Sequence, residues 1–237
     1  VRRVAAPTAL AIVDFDGAEP TYQFYGEPPS YALLGPDDLD PALIAGAAVV
    51  YTGSICLLRE PCLSAARAAW RVPGPARVFD PNVRAMLLPD AAAVSALRDL
   101  VAEFAASADL VKLSSADAAV LYDGLSVPAA AEHLRAAGAR TVVITCGAAG
   151  AHVSTTDGAA LVPAPAVHAV DATGAGDAVM GALVRQVLER GVPRDLAGWQ
   201  AAVRFALSVA GLVCERPGGA VAMPTWHELD ARWANRP

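Results

Sequence analysis

Residues 128–150 read PAAAEHLRAAGARTVVITCGAAG, and this stretch decides the fold. It reads as a helix over 128–137, then a short, fully apolar strand at TVVIT (141–145), then a glycine-rich turn over 146–150. An apolar strand of β-branched residues next to a helix is the unit of a parallel sheet buried on both faces. Outward toward the N-terminus the alternation continues, with strands expected at 48–51, 76–80 (ARVFD) and 109–113. Helices are expected over 59–70, 89–106 and 116–122. On the other side, two short strands flank the turn Thr156-Asp157-Gly158, and helices follow over 176–190, 195–214 and 225–233. The pattern predicts an α/β fold, a central, mostly parallel sheet with helices on both faces. Residues 1–35 differ: they are mainly β, with strands over 8–14 and 21–25 (TYQFY) and a tight Asp16-Gly17 turn near them. The expected division is a small β unit over 1–35 and an α/β core over 36–237.

Composition narrows the function. The chain has 237 residues, 55% hydrophobic and 18% charged, enough to bury a sizeable core without metal or disulfide staples. Acidic residues outnumber basic ones, 24 to 18, for a net charge of -6, which argues against nucleic acid as a partner. Lys112 is the sole lysine and sits in DLVKLSS, so the GxxxxGK[ST] phosphate loop and the protein-kinase VAIK lysine are both absent. The cysteines (Cys56, Cys62, Cys146, Cys214) show no CxxC spacing and read as small buried hydrophobes in a reducing compartment. The histidines (His133, His152, His168, His227) form no zinc pattern. The uncharged stretch 41–58 is broken by Thr52, Gly53 and Ser54 and reads as a helix, a strand and a turn, not as a membrane span. With no signal sequence in view, a soluble, cytoplasmic protein without a membrane partner is expected.

In α/β folds ligands sit beyond the carboxyl ends of the strands. Three polar clusters fall there: residues 80–84 (DPNVR), 112–117 (KLSSAD) and 145–150 (TCGAAG). The sharpest stretch is VDATGAGD (170–177), which runs into AVMGALVRQVLERG. Small residues at Gly174, Ala175 and Gly176 let backbone N–H groups converge at a helix start, where the dipole favours an anion. Asp177 sits at that helix start, where a carboxylate is stabilised. A glycine turn with an N-cap carboxylate is also an ordinary way to begin a helix. Two carboxylates, Asp171 and Asp177, nevertheless flank the turn, and phosphoryl transfer wants an anion cradle with a base beside it.

DATGAGDAVMGALV resembles the C-terminal signature of the ribokinase-like (PfkB-type) carbohydrate kinases, D-T-x-G-A-G-D followed by a helix. The resemblance extends over residues 7–226 and is closest to the fructokinase branch. PTALAIVDFDG with TYQFY is similar to the family's lid strands. YTGSICL, FDPNVR, VKLSSAD, VVITCGAAGA and ERPGGAVAMPT resemble its core segments. It implies a three-layer α/β/α fold with a small β lid, and ATP-dependent transfer of phosphate to a sugar hydroxyl, most simply of fructose. Asp177 would be the general base, with the N–H groups of Gly174, Ala175 and Gly176 as the anion hole. Thr145 and Gly147 would line the nucleotide, and Gly150 would allow its close approach. Asp171 and Thr173 fall where the family holds a monovalent cation such as K⁺. Ser114 and Asp117 match an N/S-x-x-E/D element that helps to place Mg²⁺ through water, and read equally as a helix cap with a first-turn acid. Asn82 and Arg84 would face sugar or phosphates, and Tyr25, with Tyr22 and Phe24, would belong to the lid. The lid strands of this family often pair across a dimer, so a homodimer through them is an expectation.

The chain departs from the pattern in four places. Ala172 replaces the usual Thr of the signature. Leu207, in RFALSVAG, stands where an Asn commonly lies near adenine. Gly26 follows FY where an arginine is common, which disfavours a carboxylate-bearing sugar acid and favours a neutral ketose. The family's N-terminal part, with its sugar-binding Asp and GGxxxN loop, has no counterpart, so a segment preceding Val1 is expected. Other sugars of the same family (ketodeoxygluconate, ribose, nucleosides) and a nucleotide-binding protein without catalysis are the alternatives.

Overall fold

Strand Thr141–Thr145 (β6) lies inside a six-stranded sheet of order β3-β4-β5-β6-β7-β8. The computed structural model describes residues 3–16 and 19–233, with side chains described outside 13–22 and Cys56. Strands β3 (Val49–Gly53), β4 (Ala76–Asp80), β5 (Leu110–Ser114) and β6 run parallel. Strands β7 (Ala151–Thr155) and β8 (Gly158–Val162) then fold back antiparallel. The hairpin reverses because only two residues, Thr156 and Asp157, separate these strands, far too few for a parallel crossover.

Period-two alternation in the parallel strands sends side chains to two cores. Phe79, Val111, Leu113, Val142 and Ile144 face helices α2 (Cys62–Arg71), α3 (Ala91–Ala105), α4 (Ser115–Leu121) and α5 (Val127–Ala136). There Trp70, Phe79 and Phe104 form an aromatic knot, with the Phe79 and Phe104 rings stacked at 5.5 Å. Val78, Leu110 and Val143 face the opposite way, toward α6 (Ala175–Arg190) and α7 (Leu196–Cys214). The expected three layers are present. The short helix α1 (Pro41–Ala45) precedes β3, and α8 (Trp226–Trp233) follows α7.

Helix starts follow local chemistry: Asp40, Asp90, Ser126 and Asp195 each accept backbone N–H bonds as N-caps of α1, α3, α5 and α7. Helix α2 begins later than the expected residue 59. Pro61 disfavours helical geometry at Glu60, whose carboxylate instead accepts the Ser64 N–H at 3.0 Å. The uncharged stretch over 41–58 divides into α1, β3 and a tight 3₁₀ turn. Helix α7 is long and apolar enough to cross a membrane by length and composition, but it packs against β7 and β8 with Trp199, Val203 and Val213 buried.

A separate antiparallel ribbon pairs β1 (Leu10–Asp16), two residues later than expected and of the same length, with β2 (Glu19–Tyr25), which begins two residues earlier than expected. The expected Asp16-Gly17 turn lies partly outside the described residues, as does the Tyr22 side chain. Leu10, Ile12, Phe24 and Tyr25 of the ribbon are exposed. Among the described cysteines the expectation of burial fails in part: Cys62 is buried, whereas Cys146 and Cys214 at strand and helix ends are half-buried.

Candidate active site

The register of the parallel strands brings their polar ends into line. Gly53 pairs with Asp80 and Ser114 with Thr145, so the clusters at 80–84, 112–117 and 145–150 share one edge of the sheet. The start of α6 reaches the same place, since a Cβ on Gly176 would sit 3.3 Å from Lys112 Nζ on β5.

The turn before α6 depends on glycine. Gly174 takes a left-handed φ of +81°, and a Cβ there would come within 2.9 Å of the Gly219 backbone. No side chain caps the helix. The Ala175 N–H donates to the Ala172 carbonyl at 3.1 Å, while those of Gly174 and Gly176 have no partner among the described residues. Asp177 is exposed in the first turn, beside these two donors. An uncapped helix start with a carboxylate at its rim can hold an anion and accept a proton next to it.

Asp171 anchors this turn. Its Oδ1 accepts the Thr173 N–H at 2.8 Å and its Oδ2 the Gly218 N–H at 2.9 Å, which holds its carboxyl below the ordinary carboxylate value. The loop around Gly218 is itself clasped from α8. The Arg216 guanidinium donates to Glu228, and Glu228 also accepts the Thr225 N–H at 2.7 Å and hydroxyl at 2.9 Å. Led by the Thr225 N–H, these contacts lower the Glu228 carboxyl to about 2.

On the opposite side, Asp117 ties β4 to β5. Its Oδ2 accepts the Ser114 N–H at 2.8 Å and hydroxyl at 2.7 Å, and its Oδ1 accepts the Val83 N–H at 2.8 Å. Ser114 and Asp117 therefore form a capping box at α4, one of the two readings left open by the sequence. The brace fixes the loop containing Asn82, a non-glycine residue at φ +39° whose carbonyl accepts the Ser54 hydroxyl at 3.3 Å. Such backbone strain clusters at functional sites. Arg84, two residues on, is exposed.

At the end of β6, the Thr145 hydroxyl donates to the Leu113 carbonyl at 3.4 Å. Gly147 is exposed at φ +55°, with open space where a Cβ would project. Gly150 is buried, and the atom nearest a Cβ there would be the Val162 carbonyl at 2.0 Å. The close approach at Gly150 is thus made by the chain itself. Tyr25 lies on the ribbon, half exposed, its hydroxyl donating to Gln23 at 2.7 Å, and no described contact joins it to the strand-end residues. Leu207 is buried in the core beneath α6.

The sequence reading missed the Asp80–Lys112 pair. Lys112 Nζ donates to Asp80 Oδ2 at 3.0 Å, with side chains only 4% and 0% exposed. Asp80 Oδ1 is buried with no partner among the described residues. Burial raises the Asp80 carboxyl to about 6; the Lys112 ammonium opposes that rise, and the charges of Asp117 and Asp177 add to it. The available signal was alternation: Lys112 falls between Leu110 and Ser114, at a position that faces the core beneath α6.

Among the described residues no three His, Cys, Asp or Glu side chains converge to hold a metal ion. The Asp117 oxygens already accept backbone N–H bonds, so this carboxylate fits an Mg²⁺ that keeps its waters and rides on phosphates better than a bare ion in a protein cage.

Comparison with known proteins agrees with this architecture. The model of the pfkB family carbohydrate kinases matches residues 1–226. A probable fructokinase-3 of Arabidopsis thaliana is 33% identical over 227 residues, covering 93% of this chain and 65% of the relative. The chain thus spans about two thirds of the length of that relative. A fructokinase from Xylella fastidiosa, solved with bound ATP, superposes with a TM-score of 0.86 at 26% identity, covering 99% of this chain and 77% of that one. Aminoimidazole riboside kinase from Salmonella enterica, solved with aminoimidazole riboside and an ATP analog, gives a TM-score of 0.77 at 28% identity over 88% of this chain and 69% of the other. With the signature turn, the strand-end clusters and the three-layer sheet all in place, the chain belongs to the pfkB family of carbohydrate kinases.

Proposed function

We propose that this protein transfers the γ-phosphoryl group of ATP to a sugar hydroxyl, with fructose as the acceptor. The observation that carries this reading is the uncapped start of α6, where Asp177 stands beside the N–H groups of Gly174 and Gly176. Asp177 takes the proton of the sugar hydroxyl, the freed oxygen bonds to the γ-phosphorus, and the bond to the β-phosphate oxygen breaks, leaving ADP and the sugar phosphate. The two N–H donors and the dipole of α6 stabilise charge on the transferring group. Ala175 contributes to the same turn through its bond to the Ala172 carbonyl. Thr145, Gly147 and Ser114 line the nucleotide side, with Gly150 shaping the turn behind them. Asn82 and Arg84 face the phosphates or sugar, and Tyr25 belongs to a lid that also suits pairing of two copies. Mg²⁺, held through water near Asp117, neutralises ATP phosphates when bound, and the oxygens of Asp171 and Thr173 suit a monovalent cation such as K⁺. Solution work in the cytoplasm is consistent with an acidic chain whose apolar helix is packed in its core.

A riboside acceptor is the second reading, favoured by the likeness to aminoimidazole riboside kinase. The first experiment is ADP release from the complete gene product with ATP, Mg²⁺ and fructose, beside its Asp177→Asn variant. Fructose-dependent release that falls by about 10²–10⁴-fold in the variant supports both the reaction and the base. Release with a riboside but not with fructose supports the second reading. An Asp177→Asn variant at wild-type turnover overturns the assignment of the base.

A further inference from the structure

The only lysine in the chain occupies a position where alternation calls for an apolar side chain. Lys112 shares its face of β5 with Leu110, its neighbour in register on β6 is the buried Val143, and Asp80 at the end of β4 meets it through its side chain. Burying an ammonium there costs free energy that a methionine would not. The location adds a second cost. Lys112 Nζ lies behind the first turn of α6, where a Cβ on Gly176 would stand 3.3 Å from it. That is the positive end of the helix dipole, where stability alone disfavours a cation. Asp80 offsets only part of these costs, since one of its oxygens meets Lys112 at 3.0 Å and the other is buried without a partner among the described residues. A group that is disfavoured twice and still held in place points to the anion site on the far side of the Gly176 backbone.

Resting on the kinase reading above, we propose that Lys112, braced by Asp80, is a positioning residue for phosphoryl transfer: its buried ammonium backs the Gly174–Gly176 turn and supplies fixed positive charge beneath the transferring group without touching it. Asp80 holds the ammonium in line from the neighbouring strand. The charge lies in a dry, preorganised setting and needs no reorganisation as negative charge develops in the transition state. Such a group acts on turnover more than on substrate affinity. A side chain at Gly176 would press on the ammonium, since its Cβ would stand 3.3 Å from Lys112 Nζ.

The test separates this role from a merely structural ion pair. Lys112→Met alone strands the Asp80 charge, so the decisive variant is Asp80→Asn with Lys112→Met, which removes both charges together. For the full chain with its best sugar, the double variant is expected to fold, to keep KM for ATP and sugar within about twofold, and to lose about 100-fold in kcat, comparable to the loss of one oxyanion donor. A double variant within threefold of the wild-type kcat makes the pair structural and overturns the inference. So does a loss confined to KM. If the double variant does not fold, Lys112→Arg decides: the guanidinium is broader and planar, and it moves the centre of charge away from the ammonium's place. A folded Lys112→Arg protein about tenfold slower at unchanged KM supports the proposal, and one at full kcat overturns it. Wild-type protein that releases no ADP with any sugar overturns the kinase reading and this inference together, whereas an active wild type with an equally active double variant overturns this inference alone.

Discussion

At Gly150 the chain passes so close to itself that no other residue fits. Its φ is +100°, and a Cβ would lie 2.0 Å from the Val162 carbonyl and 2.7 Å from the Ala164 nitrogen. Gly150→Ala is therefore expected to lower thermal stability by several degrees or to prevent folding, and a thermal unfolding scan checks it. Gly147, three residues earlier, also has positive φ but open space around it, so Gly147→Ala is expected to cost less in stability. The sequence marked both glycines and could not tell them apart, because the atoms that crowd Gly150 lie on the far side of the β7–β8 hairpin. The glycine turn that opens α6 was legible, since it is a local pattern. The pairing of Asp80 with Lys112 was not: the two are 32 residues apart, and a charge within a strand reads by default as solvent-facing. For Ser114 and Asp117 the cap is now visible, and it coexists with the site's edge, since the same carboxylate also holds Val83.

At the scale of elements, the clasp between α8 and the loop at Gly218 yields a pH prediction. Glu228 holds Arg216 and the N-terminus of α8, and its carboxyl is lowered to about 2 from an ordinary value of 4.5. A carboxyl with a depressed folded-state value contributes stability that is present above its unfolded value and is lost as pH falls toward the folded one. The thermal midpoint of the wild type is therefore expected to fall more steeply than that of Glu228→Gln between about pH 4.5 and pH 2. Equal slopes across that window would show that the clasp adds nothing. Because the same loop donates the Gly218 N–H to Asp171, loosening α8 reaches the turn before α6. Strands and long helices were legible from apolar runs and their alternation. The start of α2 was not, because Pro61 and the Glu60 carboxylate decide it, and neither is apolar.

Across the whole molecule, two cores on opposite faces share the same parallel strands. Phe104 belongs to the aromatic knot that joins α2, α3 and β4, and it is 1% exposed. Phe104→Ala is expected to cost about 3–5 kcal/mol in unfolding free energy, measured by denaturant titration. The three-layer architecture was legible because each layer repeats one pattern. The antiparallel turn of β7 and β8 followed from the short link between them.

The alternation that buries Lys112 also keeps the strands in step. A one-residue slip of β5 would exchange its two faces, carrying Lys112 in among Phe79, Phe104 and Leu97 and placing Leu113 beneath the helix start. An aliphatic residue at 112 would tolerate either alignment, whereas an ammonium with its carboxylate on the next strand tolerates one. The charge beneath the α6 turn thus doubles as a registration mark: the sheet cannot assemble in a shifted frame without stranding it, and a chain that has folded at all has its strand ends aligned for the site.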